Sequence, residues 1–154
     1  IDMRGARWLE ADEFELFPGA RRFENWEFAY ALLLGMGEAA QYALNIGLDR
    51  IEAIATGLAE YTRERLAALN GVRVLDRGPK QCAIVTAEFA RHDAREIMLR
   101  LREEAINTNA TLREFAVLDM DDKRAASALR ISPHYYNTRR EIDILISALQ
   151  EFVE

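Results

Sequence analysis

The chain is predicted to be α+β: a small antiparallel sheet with helices packed on one face, preceded by a long helix of the interdomain or interface kind. Three observations predict this. After residue 48 the periodicities run helix, strand, strand, helix, strand, strand, helix. Neighbouring strands joined by turns pair antiparallel and leave the helices to cover the sheet. The helical stretch before residue 48 is apolar around much of its circumference, as a helix between domains or in an interface must be. Residues 1–48 are therefore expected to form a hairpin and a long connecting helix, and residues 49–154 a small C-terminal domain.

In order, Arg4 to Leu9 and Phe14 to Phe17 are extended runs separated by Glu10-Ala11-Asp12-Glu13, the pattern of a hairpin, and Pro18-Gly19 closes the second. From Trp26 to Ile46, Phe28, Leu32, Met36, Ala39 and Ala43 recur at helical spacing, with Leu33, Ala40 and Leu44 widening the stripe. Gly47 ends that helix. Asp49 starts the next, from Arg50 to Leu69, whose inward positions are Ile51, Ile54, Leu58, Tyr61, Arg65 and Leu66. Val72 to Leu75 and Cys82 to Phe89 read as strands around an Asp76-Arg77-Gly78-Pro79 turn. Asp93 caps a helix from Ala94 to Ile106, with Ile97, Met98, Leu101 and Ala105 facing inward. Thr108 to Met120 reads as extended, Asp119 to Lys123 as a charged turn and Ala125 to Ser132 as a strand. A final helix from Arg139 to Phe152 buries Ile142, Leu145, Ile146 and Leu149.

Composition narrows the function. With 154 residues, half of them apolar and 30% charged, the chain can build one core. A net charge of −6 argues against a nucleic-acid or anionic-membrane partner. The lone Cys82 excludes an intramolecular disulfide and a cysteine metal cluster, so a reducing cytoplasm is expected, and its apolar strand makes it a structural, buried thiol. His92 and His134 lack clustered acidic partners, and no metal site is expected. No apolar run reaches membrane-span length. The chain opens on Ile1-Asp2-Met3, the expectation for a fragment or a processed protein.

The stretch that carries chemistry is Leu129-Arg130-Ile131-Ser132-Pro133-His134-Tyr135-Tyr136-Asn137-Thr138. Alternation puts Ala126, Ala128, Arg130 and Ser132 on one face of the strand and Ser127, Leu129 and Ile131 on the other. Arg130 thus stands among small side chains, where a guanidinium grips a planar anion such as a carboxylate at two points. Pro133 stiffens the turn, and Thr138 with Glu141 makes a capping box for the last helix.

Arg-Ile-Ser-Pro-His-Tyr-Tyr-Asn-Thr followed by Glu-Ile-Asp resembles the C-terminal signature of class V aminotransferases. These are fold type I pyridoxal-phosphate (PLP) enzymes that include cysteine desulfurases, selenocysteine lyases and isopenicillin N epimerase-like proteins. Gly5-Ala6-Arg7-Trp8, Arg21-Arg22-Phe23-Glu24 and Ala40-Gln41-Tyr42-Ala43-Leu44-Asn45-Ile46-Gly47 resemble, in order, segments that follow the PLP lysine in that family. The resemblance covers nearly the whole chain and corresponds to the family's last third. It implies that Arg130 binds the α-carboxylate of an amino-acid substrate. It also implies that PLP and its lysine lie in a large upstream domain, and that the protein is a homodimer.

Where relatives carry a Gly-Thr pair reaching the neighbouring subunit's PLP phosphate, this chain has Asn25-Trp26-Glu27, which makes Asn25 and Trp26 the matching positions and sets a phosphate-repelling glutamate beside them. The two lysines, Lys80 and Lys123, do not match the family's lysine motif, so the chain alone is not expected to be catalytic. The desulfurase cysteine is absent between Thr108 and Lys123, which disfavours cysteine-dependent desulfuration. The reaction is open among transamination, elimination, desulfuration and epimerisation. The competing expectation is a stand-alone α+β module that binds a small carboxylate or a protein partner without chemistry.

Overall fold

The computed structural model describes residues 4–24 and 27–153, and its contacts divide the chain into two units, Ile1–Asn45 and Ile46–Glu154.

In the first unit, strands β1 (Ala6–Glu10) and β2 (Glu13–Leu16) pair antiparallel with Ala6 opposite Leu16 and Trp8 opposite Phe14. Helix α1 (Tyr30–Ile46) follows and buries none of its residues. Leu32, Leu34 and Met36 on it are 75%, 72% and 65% exposed, and Trp8 on the hairpin is 79% exposed. The apolar stripe expected of a buried helix is present, and none of its described positions is buried.

The second unit has its own core. Helix α2 (Leu48–Ala67) leads into β3 (Val72–Val74), β4 (Val85–Phe89), helix α3 (Ala94–Glu103), β5 (Asn109–Leu112), a short helix α4 (Val117–Lys123), β6 (Ser127–Ile131) and helix α5 (Arg139–Leu149). The four strands form one antiparallel sheet in the order β3-β4-β6-β5. Val85 pairs with Ile131 and Ala87 with Leu129, so the inward positions of the two central strands coincide. They pack with Leu58 and Leu66 of α2, Ile97 and Leu101 of α3, and Ile142, Leu145 and Leu149 of α5. The expected architecture is observed.

Local chemistry explains the element ends. The Asp93 carboxylate accepts the Arg95 N–H at 2.8 Å and caps α3, while the Ser127 hydroxyl accepts the Ala94 N–H at 3.1 Å and ties that helix start to β6. At the other end of α3 the Ile106 N–H returns to the Leu101 carbonyl at 2.9 Å, which requires Ala105 to adopt φ +60. That left-handed position is one where a Cβ is unfavourable and glycine is preferred.

Three sequence expectations change. The run expected to be extended from Thr108 to Met120 ends as a strand at Leu112, and the expected Asp119–Lys123 turn is helical: a 3-10 turn at Arg113–Phe115 leads into α4, which packs Met120 with Leu75, Ala125 and Ala128 on the face of the sheet opposite the three long helices. The strand expected from Cys82 begins at Val85. Cys82 therefore lies in the preceding loop and is exposed, not buried, and its carbonyl accepts from Arg63 at 2.7 Å. Residues Asn25 and Trp26 lie outside the described residues.

Ala105→Gly should stabilise the chain by about 0.5–1 kcal/mol, because relief of the left-handed strain exceeds the entropy glycine adds to the unfolded state. Urea denaturation at constant m-value measures this; an unchanged or lowered midpoint would overturn the strain argument.

Candidate functional site

Arg130 is the fourth residue of β6 and is exposed, whereas its neighbours Leu129 and Ile131 are 0% and 5% exposed. It lies opposite Thr86 of β4 and Asn109 of β5. Thr86 sends its N–H to the Asp76 carboxylate at 3.0 Å and accepts the Leu75 N–H on its carbonyl at 2.8 Å. Both of its backbone groups thus point toward β3. Thr86 and Arg130 consequently form a non-hydrogen-bonded pair, the kind in which Cα atoms approach to about 4.5 Å and side chains lie closest.

The polar side chains around that guanidinium hydrogen-bond to other partners. The Thr86 hydroxyl donates to Asp76 Oδ1 at 2.6 Å. Asn109 Oδ1 accepts the Ala110 N–H at 2.8 Å. Glu88 lies on the same face, diagonal to Arg130 by the register, and its Oε2 is taken by Arg73 Nη2 and Nε at 2.6 and 3.0 Å. Among the described residues no carboxylate or carbonyl pairs with the Arg130 side chain. A guanidinium on a rigid central strand, next to small side chains and with no internal partner, is suited to a planar external anion.

Asp76 is fixed in turn. Arg63 of α2 donates through Nε to its Oδ2 at 2.8 Å, and through Nη2 to the carbonyls of Cys82 and Ile84 at 2.7 and 3.0 Å. The two side chains are only 13% and 11% exposed. One guanidinium thus joins α2, the 76–84 loop and the start of β4.

Beyond Arg130 the chain turns sharply. Asn137 Oδ1 accepts the His134 N–H at 2.9 Å while the Asn137 N–H donates to the His134 carbonyl at 2.9 Å, closing a tight loop of aromatic rings. The His134 Nδ1 atom is buried without a hydrogen-bond partner among the described residues. The expected capping box is formed: Glu141 accepts the Thr138 N–H at 2.6 Å and its own N–H donates to the Thr138 hydroxyl at 3.3 Å. These contacts, the backbone N–H first and the hydroxyl second, hold the Glu141 carboxyl below its ordinary range.

A cleft of about 410 Å³ opens on the helix side of this turn, lined by residues that include Thr108, Ile131, Ser132, Asn137 and Glu141. Its charged lining is acidic, and Arg130 points from the other face of β6, so the cleft does not suit a carboxylate. Among the described residues no three His, Cys, Asp or Glu side chains gather to hold a metal, and no helix is long and apolar enough to cross a membrane.

The lysines do not fit covalent attachment of PLP. Lys123 donates to Asp119 at 2.9 Å one turn away on α4, and the Lys80 side chain is 91% exposed beside Glu52.

Residues 15–145 match the family model "Aminotransferase class-V". The chain belongs to the class V aminotransferase family. Among class V relatives it is 29% identical over 143 residues to a probable cysteine desulfurase of Mycolicibacterium paratuberculosis, covering 92% of this chain and 21% of that protein. The fold matches the apo cysteine desulfurase of Thermococcus onnurineus NA1 with a TM-score of 0.76, at 23% identity, over 99% of this chain and 38% of that one. It also matches a lysine-to-alanine mutant of C-DES with glycine covalently linked to its PLP cofactor, with a TM-score of 0.69 and 21% identity, over 99% of this chain and 37% of that chain. The chain therefore spans between a fifth and two fifths of the class V proteins it matches.

The Glu141 contacts set a pH dependence. A carboxyl depressed in the folded state stabilises it above the unfolded value of 4.5, and that contribution is lost as pH falls through the lower folded value. The stability difference between wild type and Glu141→Gln should therefore be full at neutral pH and shrink below pH 4.5, as followed by thermal melts across the acid range. A difference independent of pH would remove the charged form from the cap.

Proposed function

We propose that this chain is the C-terminal part of a PLP-dependent class V enzyme acting on an amino acid, and that Arg130 clamps the substrate's α-carboxylate. The observation that carries this reading is the Arg130 guanidinium itself: it stands on a central strand while Thr86, Asn109 and Glu88 have their side chains committed to other partners. The C-DES structure with glycine joined to its cofactor supports an amino-acid ligand.

PLP, which supplies an electron sink for the carbanion at Cα, belongs in this reading to a large domain outside residues 1–154, together with its lysine. The residues of this chain bind and orient. Two parallel N–H···O bonds from Arg130 fix the plane of the carboxylate and thereby the direction of the bonds at Cα. The absence of a cysteine between Thr108 and Lys123 speaks against a cysteine nucleophile on that segment.

The exposed apolar surface of the first unit supports a partner for it. Tyr30, Leu32, Leu33, Leu34, Met36, Tyr42 and Leu44 are all exposed on α1, and burying each contributes about 1.5–3 kcal/mol. In this reading residues 1–48 carry the hairpin and the helix that dock on the large domain and on the second subunit of a cytoplasmic homodimer, and residues 49–154 are the small domain.

Arg130→Ala in the full-length protein should lower kcat/KM for its amino acid by roughly 30- to 150-fold, about 2–3 kcal/mol, through KM first. Arg130→Lys should recover only part, since the two-point grip is lost. Steady-state kinetics across the standard amino acids make the measurement, and unchanged constants in Arg130→Ala would refute the clamp.

A further inference from the structure

Resting on the reading of Arg130 as a carboxylate clamp, we propose that Arg73 is a positioning residue for it: Arg73 holds the Glu88 carboxylate and so keeps Glu88 from neutralising Arg130. Two arginines and one glutamate share the face of the sheet on which α4 packs. Arg73 of β3 lies directly opposite Glu88 of β4. One step past the Ala87–Leu129 pair, the register sets Glu88 opposite Ala128, which is buried with Met120 and Leu75, and Arg130 falls on the diagonal. Long side chains on such a diagonal are within each other's reach.

The two cations differ in how many donors they have spent. Arg73 gives Nε and Nη2 to Glu88 Oε2 at 3.0 and 2.6 Å, Nη1 to the Lys123 carbonyl at 2.8 Å and Nη2 to the Arg124 carbonyl at 3.2 Å. Those carbonyls end α4, where a cation is favoured by the helix dipole. Arg73 is thus anchored at both ends and has little left to offer a ligand. The Glu88 side chain, 26% exposed, is held on the β3 side of its strand, away from β6. Releasing it would create an internal carboxylate that competes with substrate for Arg130.

The test needs no substrate. In the 154-residue chain, the rate of phenylglyoxal modification at Arg130, read by peptide mass mapping, reports whether that guanidinium is free. Arg73→Gln should slow modification of Arg130 by about fivefold as Glu88 turns to it, and Arg73→Gln/Glu88→Gln should restore the wild-type rate to within about twofold. The double variant also lacks the anchor on α4, so restoration separates the charge effect from loosened structure. An unchanged rate in Arg73→Gln, or no restoration in the double variant, overturns the proposal. That failure would leave the clamp standing, whereas unchanged kinetics in Arg130→Ala would remove the clamp itself. In the full-length protein the same pair should raise and then restore KM with kcat held.

Discussion

The two-residue period of β6 is the constraint on which both core and site depend. Leu129 and Ile131 are driven inward against Val85 and Ala87, and the same pleat sends Ala128 and Arg130 to the opposite face, Ala128 under Met120 of α4 and Arg130 to solvent. A one-residue slip would reverse every side chain, burying the guanidinium among Leu101, Leu145 and Leu149 and exposing two large aliphatic groups. Each aliphatic side chain returned to water costs about 1.5–3 kcal/mol, and an unpaired buried cation costs several more. The register is therefore fixed by burial, and the position of Arg130 follows with no energy spent on the arginine itself.

A second tie fixes where β4 begins. β3 ends at Val74, so beyond it β4 has no backbone carbonyl alongside, and the Asp76 carboxylate takes that role for the Thr86 N–H. Surface ion pairs contribute little, but the Arg63–Asp76 pair is nearly buried and every contact it makes is charge-assisted. The rigidity of the strand pair that presents Arg130 thus comes from a helix on the other side of the sheet.

Much of this was legible in the sequence because the signals are local. Thr138 with Glu141, Asp93 before an amphipathic run, and the alternation through Leu129-Arg130-Ile131 are all decided within a few residues. Helix α4 was not legible. Its seven residues carry three aspartates, and it is held by groups distant in sequence: Arg73 on its last carbonyls, Arg113 on Asp121, and Met120 packed on Leu75 and Ala128. The apolar run from Cys82 reads as one strand, but the carbonyls of Cys82 and Ile84, before Val85, are held by Arg63. Nothing local announces Ala105 in a left-handed conformation, since the residue type there argues against it.

Residue type alone does not single out Arg130 either. Arginine supplies 18 of the 20 basic residues, so an exposed arginine is the commonest cation on this surface, and Arg95 and Arg102 are further examples on α3. What distinguishes Arg130 is the commitment of the groups beside it. A solvated arginine on a helix meets water and mobile counter-charges; one on a central strand meets a fixed set of neighbours, and here the polar side chains of that set hydrogen-bond to other groups. Keeping a cation open in a face that also holds Glu88 requires a second cation to occupy the glutamate, and Arg73, braced by the end of α4, is placed to do so. The short helix that the sequence concealed is in this way part of what leaves the arginine free.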